Sequence, residues 1–192
     1  IFQDRSFRIP MLAGCFSGGV LFCYISSSAS VLMNGYGLNQ QHFAIAFGSN
    51  AFGIMLLSTL NKKMGKHLSV FTRLKIGGFI QLTGALVLVL AGLLQQAPIE
   101  LVYAGMFLAV SGIGFTGPNA MALAMSEQGA RAGTASAVMG SMQFACGLLG
   151  GVILNFLVWT DLMNMATLML CFIAIAMLAI FSLSPEKVMA QS

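Results

Sequence analysis

An all-α bundle of six membrane-crossing helices is the fold this sequence predicts, and three observations carry the prediction. Hydrophobic residues fill 58% of the 192 positions and charged residues 7%, whereas a soluble domain carries roughly a quarter charged residues to keep its surface wetted. The few charges gather into clusters that separate long runs free of Asp, Glu, Lys and Arg. Each run reaches the ~20 residues that a helix rising 1.5 Å per residue needs to cross hydrocarbon. Barrel strands would be about half as long and would alternate in polarity.

The spans follow in order from the charges. Residues 9–61 form one charge-free run that is too long for a single span, and "NGYGLNQQH" (34–42) breaks it with turn-forming residues. The runs 76–99, 101–126, 132–160 and 162–185 supply four more spans. The chain thus divides into a leading segment, 1–8, a six-helix transmembrane unit, 9–184, and a tail, 185–192. An even number of spans puts both termini on one side. All nine basic residues (Arg5, Arg8, Lys62, Lys63, Lys66, Arg73, Lys75, Arg131 and Lys187) fall on that side. The opposite loops carry only His42, Glu100 and Asp161. That asymmetry predicts cytoplasmic termini. The pI near 9.1 therefore reflects topology and contact with anionic lipid headgroups. No basic patch interleaved with aromatics lies outside the spans, so nucleic acid is not an expected partner.

Small residues mark where membrane helices approach, since lipid gives apolar side chains no reason to pair. Gly14 and Gly18 mark the first span, and Gly77, Gln81 and Gly84 give the third one packed face. In the fifth, Gly133, Ala137, Gly140, Gly147 and Gly151 form a stripe with Gln143 beside it. The sixth span has no glycine and is expected at the periphery, while spans one, two, four and five are expected inside. In the fourth, Gly112, Gly114, Gly117 and Pro118 weaken the helix. Pro118 lacks an N–H and crowds the carbonyl of Gly114, which predicts a kink. Irregular backbone at that depth belongs against protein or a wet cavity, so this stretch is either a packing kink or a hinge beside a substrate path.

Two spans offer mixed aromatic and hydroxyl faces. Ser17, Tyr24 and Ser28 share one face of the first, with Ser27 alongside, and Phe107, Ser111 and Phe115 follow at i+4 in the fourth. Such faces suit an amphipathic organic ligand, although hydrogen bonding between helices explains Ser and Tyr as well. Asn50, Asn119 and Gln143 add amides that bind but do not titrate. No Asp, Glu, Lys, Arg or His lies near a span centre, where proton relays are usually built. The serine of "GCFSGG" has no histidine within a span to activate it. Cys15, Cys23, Cys146 and Cys171 have no ligand spacing, and no metal cluster is visible. No enzyme, metal or cofactor is expected.

"GPNAMALAM" followed by "AGTASAVMGSMQFACGLLGG" (117–125, 132–151) resembles the Bcr/CflA drug-resistance group of the major facilitator superfamily. "YISSSASVLM" is similar to that group's seventh span. "NKKMGKHL" is similar to a degraded form of the superfamily's glycine-and-basic loop, without its acidic residue. The resemblance covers nearly the whole chain as spans 7–12 of a twelve-span transporter, one 3+3 inverted-repeat half. It implies alternating-access export of small hydrophobic drug-like compounds in exchange for protons at the bacterial inner membrane. It implies an N-terminal six-helix half as partner, with the titratable groups placed there. Under it, Tyr24, Ser27, Ser28, Asn50, Ser111, Phe115, Asn119 and Gln143 are the candidate substrate-binding residues. Gly112, Gly114, Gly117, Pro118, Gly140, Gly147 and Gly151 are the candidate hinge and packing residues. The competing reading is an independent six-span protein that self-associates or binds a partner and transports nothing.

Overall fold

The computed structural model describes residues 4–94 and 96–183. The predicted tail, 185–192, lies outside the described residues. Among the described residues seven α-helices build six spans: α1 (Arg5–Ala29), α2 (Gln40–Met64), α3 (Val70–Leu93), α4 (Ile99–Ser111), α5 (Ile113–Met125), α6 (Ala132–Leu154) and α7 (Asp161–Phe181). A π-helical turn, Ser30–Gly35, extends α1, and α4 with α5 forms the fourth span. All six are long and apolar enough to cross a membrane.

The helix starts obey local chemistry. The side chains of Asp4, Asn39, Ser69 and Thr160 accept from the backbone N–H of Ser6, His42, Thr72 and Met163, occupying donors that a helix end leaves free. Asp4 starts α1 at Arg5, so part of the expected leading segment is already helical. Beyond the π turn, Gly37 takes φ +70, a conformation suited to glycine in the predicted turn.

Packing is pseudo-symmetric. Exchange spans one, two and three with four, five and six, and every main helix pairing maps onto another. The α1–α7 contact answers α3 against α4 and α5, and α1–α6 answers α2 against α4 and α5. The pairs α3–α7 and α1–α5 map onto themselves. Detail follows the pattern: Gly147 of α6 lies against the Phe22 ring, as Gly53 of α2 lies against Phe107.

Two expectations about span position fail. The sixth span is not peripheral: 56% of its most apolar stretch is buried, between α1 and α3. Its partners supply the small residues, Gly19 receiving Phe172 and Gly78 receiving Met177. A helix needs no glycine of its own when it provides the side chain that fills the gap. Conversely, α2 and α6 are not internal here, with 11% and 22% buried. The predicted α6 stripe divides accordingly. Gly147 is packed, whereas a Cβ added at Gly151 would meet only Ser26 Oγ at 3.8 Å, and one at Gly133 or Gly140 would meet no described atom of another element within 4 Å. Ala135, Met139, Cys146 and Gly150 complete the buried face instead.

Candidate functional site

The fourth span relaxes at one residue, Gly112, between α4 and α5, and α5 runs unbroken through Pro118. The predicted kink at Pro118 is thus displaced. Gly112 accommodates Gln81 of α3, whose Cγ would lie 2.5 Å from an added Cβ. Around it lies a satisfied polar core. Gln81 Oε1 accepts from Ser17 Oγ at 2.6 Å and Thr116 Oγ1 at 3.1 Å, while Nε2 donates to the carbonyls of Ser17 and Ala109 at 3.3 and 3.2 Å. Ser17 and Thr116 also touch directly. Three spans are thereby tied at the relaxed turn.

A second network answers the missing N–H of Pro118. The carbonyl left without a helical partner belongs to Gly114, and Asn61 Nδ2 of α2 donates to it at 3.3 Å. Asn61 Oδ1 accepts from Asn119 Nδ2 at 2.9 Å and from Arg73 Nη1 at 3.0 Å. Asn119 also donates to the carbonyl of Phe115 at 2.7 Å. A backbone this close needs the absence of a side chain: a Cβ on Gly114 would lie 2.6 Å from the Ile54 carbonyl oxygen. Asn119 is therefore placed as a joint between α5 and α2. Gly117 meets only its own helix, and Pro118 points outward.

Most of the remaining candidates meet where α1, α2 and α4 join. Asn50 Nδ2 donates to the Tyr24 hydroxyl at 2.8 Å, and the Tyr24 ring stacks on Phe47 at 5.4 Å. Phe107 and Ser111 lie against Gly53 of α2. Tyr103 bonds Ser49 and lies beside Phe107. Three buried side-chain oxygens here, Ser28 Oγ, Asn50 Oδ1 and Ser111 Oγ, have no hydrogen-bond partner among the described residues. Buried polar atoms are nearly always bonded, so these three make the junction the candidate binding site.

Three candidates go elsewhere. Phe115 sits on Gly77 of α3. Gln143 covers Gly18 of α1 from α6. Ser27 lines a separate cavity at the end of the bundle away from residue 4. Sequence reasoning missed Asn61 as a member of this network because it abuts Lys62 and Lys63, at the edge of a charge-free run. Its spacing from Pro118 in the chain gives no signal.

No protein-family model matches the chain. Over 191 residues it is 30% identical to an uncharacterized MFS-type transporter, YdgK, of Bacillus subtilis strain 168, covering 98% of this chain and 46% of that protein. Over 185 residues it is 28% identical to a bicyclomycin resistance protein homolog of Haemophilus influenzae, covering 92% and 44%. The chain spans about half the length of the curated relatives it matches.

Proposed function

This chain belongs to the major facilitator superfamily, and on that premise we propose that it serves as the C-terminal half of a drug/proton antiporter of the bacterial inner membrane. The observation that carries the reading is a half-length, pseudo-symmetric bundle whose two exposed helices occupy equivalent positions. On α6 the open face holds Gly133 and Gly140, where an added Cβ would meet no described atom of another element within 4 Å. Small residues in a membrane favour close helix contact over lipid, which fits an N-terminal six-helix half lying there. With termini cytoplasmic, as the basic loops argue, the two halves rock about a shared path.

Substrate binds at the α1–α2–α4 junction. Phe47, Phe107 and Tyr103 supply apolar area, and Asn50 Oδ1, Ser111 Oγ and Ser28 Oγ supply unused hydrogen-bonding positions. That combination suits small hydrophobic compounds carrying a few polar groups. The span centres hold no carboxylate or histidine, so proton coupling belongs to the other half. In proteoliposomes with an imposed pH gradient, the full-length protein extrudes a hydrophobic fluorescent dye and the 192-residue chain alone moves neither dye nor protons. Robust flux from the chain alone overturns the reading. The same open faces also suit a second copy of this chain. The mass of the protein isolated from its host decides: about twice 20.3 kDa supports the transporter half, and 20.3 kDa the self-associating bundle.

A further inference from the structure

A cavity of about 300 Å³ opens at the end of the bundle away from residue 4, where α1 runs into its π turn, α6 ends and α7 begins. It is distinct from the Tyr24–Asn50 junction, because Ser27 and Ser28 point to different neighbours. Six of its eight lining residues are polar: Ser26, Ser27, Ser30, Asn155, Asp161 and Asn164. Among the described residues that line it, the one formal charge is the Asp161 carboxylate, with no Lys, Arg or His. Such a concentration of polar groups is unusual in a chain that is 7% charged.

The walls are held in place. Asn164 accepts from the Trp159 N–H at 3.2 Å and donates to the carbonyls of Leu157 and Trp159, so its amide fixes the preceding loop. Asn155 donates to the carbonyl of Gly151 at 2.8 Å. Ser30, carried on the π turn, donates to Asp161 Oδ2 and accepts from Asn34. Single π turns recur at functional sites because they redirect side chains. Ser27 is the informative residue. It is 8% exposed, lines the cavity, and makes no hydrogen bond to any described residue. Its hydroxyl opens onto the cavity and is free to meet a ligand there.

We propose that this cavity binds a primary ammonium group on a small polar molecule, an amino alcohol in chemical class. The carboxylate supplies charge-assisted acceptance, and the serine and asparagine oxygens receive the remaining N–H and O–H donors. The volume lies at the low end of the range for organic ligands and is ample for a molecule of a few heavy atoms. Two sources offer this chemistry at a membrane surface: a soluble amine and the ethanolamine headgroup of a phospholipid. The proposal is independent of the transport reading.

The test is ligand-observed saturation-transfer NMR of ethanolamine on the full-length protein in phosphatidylcholine nanodiscs, with choline as the control lacking N–H donors. Saturable ethanolamine binding is expected, with choline at least about tenfold weaker. Asp161→Asn, a change at an exposed position, lowers the affinity about tenfold or more, and Ser27→Ala lowers it about threefold. Replacing the lipid with phosphatidylethanolamine then separates the sources. Loss of the free-amine signal assigns the lipid headgroup, and an unchanged signal assigns a soluble amine. No saturable signal in phosphatidylcholine, equal binding of choline, or affinity unchanged in both variants overturns the proposal.

Discussion

Helices α2 and α6 stand at equivalent places in the two repeats, yet they are attached by different means. Helix α2 is bonded along its length: Ser49 to Tyr103, Asn50 to Tyr24, and Asn61 to Gly114, Asn119 and Arg73. Helix α6 meets α1 through shape, with Gly147 against Phe22, Met139 over Gly14 and Gln143 over Gly18. Among the described residues its polar ties to α1 are weak thiol contacts of Cys15, to the Met139 carbonyl at 3.9 Å and to Cys146. Lipid removes the hydrophobic drive between helices, leaving hydrogen bonds and close contact as the means of attachment. The repeats divide these means between them. A bonded helix holds one position, whereas a shape-fitted helix can slide at smaller cost.

The sharpest way to break this comparison is Asn61→Leu. It strands the Gly114 carbonyl and unpairs Asn119 and Arg73, and should cost about 2–3 kcal/mol in a reversible unfolding assay in bicelles. Gln143→Leu, the α6 counterpart test, should cost under about 0.5 kcal/mol, since Gln143 donates no hydrogen bond to a described residue. An equal loss would erase the distinction. Next comes Gly147→Leu, which drives a side chain into Phe22 and should cost about 1–3 kcal/mol. Gly140→Leu should leave the isolated chain's stability unchanged while lowering assembly of the full-length protein, read by pull-down of the two halves expressed separately. Asn50→Ala should cost only about 0.6 kcal/mol, the average for a membrane side-chain hydrogen bond, and should weaken dye binding in the full-length protein.

The smallest effect concerns Asp4, at the start of the first repeat. Hydrogen bonds from the Ser6 hydroxyl and N–H, with a further one from Gln128, hold its carboxyl below the usual carboxylate range. Its stabilising contribution is complete above the unfolded value of about 3.9 and is lost as pH falls through the lower folded value. Thermal scans between pH 6 and 3 should therefore show a slightly shallower acid decline for Asp4→Asn than for the native chain. The residue is solvated, so screening keeps the difference small.

The six spans were legible because charges cannot sit in hydrocarbon, and that rule acts on one residue at a time. The Tyr24–Asn50–Ser111 junction was partly legible, since i+4 spacing places Phe107 and Ser111 on one face. Phe115 meets Gly77 of α3 instead, because two i+4 steps turn a side chain through about 80°. The position of α7 was misjudged because packing is a property of pairs: the glycines that receive Phe172 and Met177 belong to α1 and α3. Asn61 was hidden for the same reason. Its role is defined by Pro118, on another span.

That pairing has a consequence for how the protein is made. Until it meets α2, the fourth span carries a carbonyl at Gly114 that its own helix cannot satisfy, and lipid offers no substitute donor. The segment bearing Asn61 precedes it in the chain and so is already in the membrane when the fourth span leaves the ribosome. The proline thus imposes an order of assembly, because the later helix is incomplete until it docks on the earlier one.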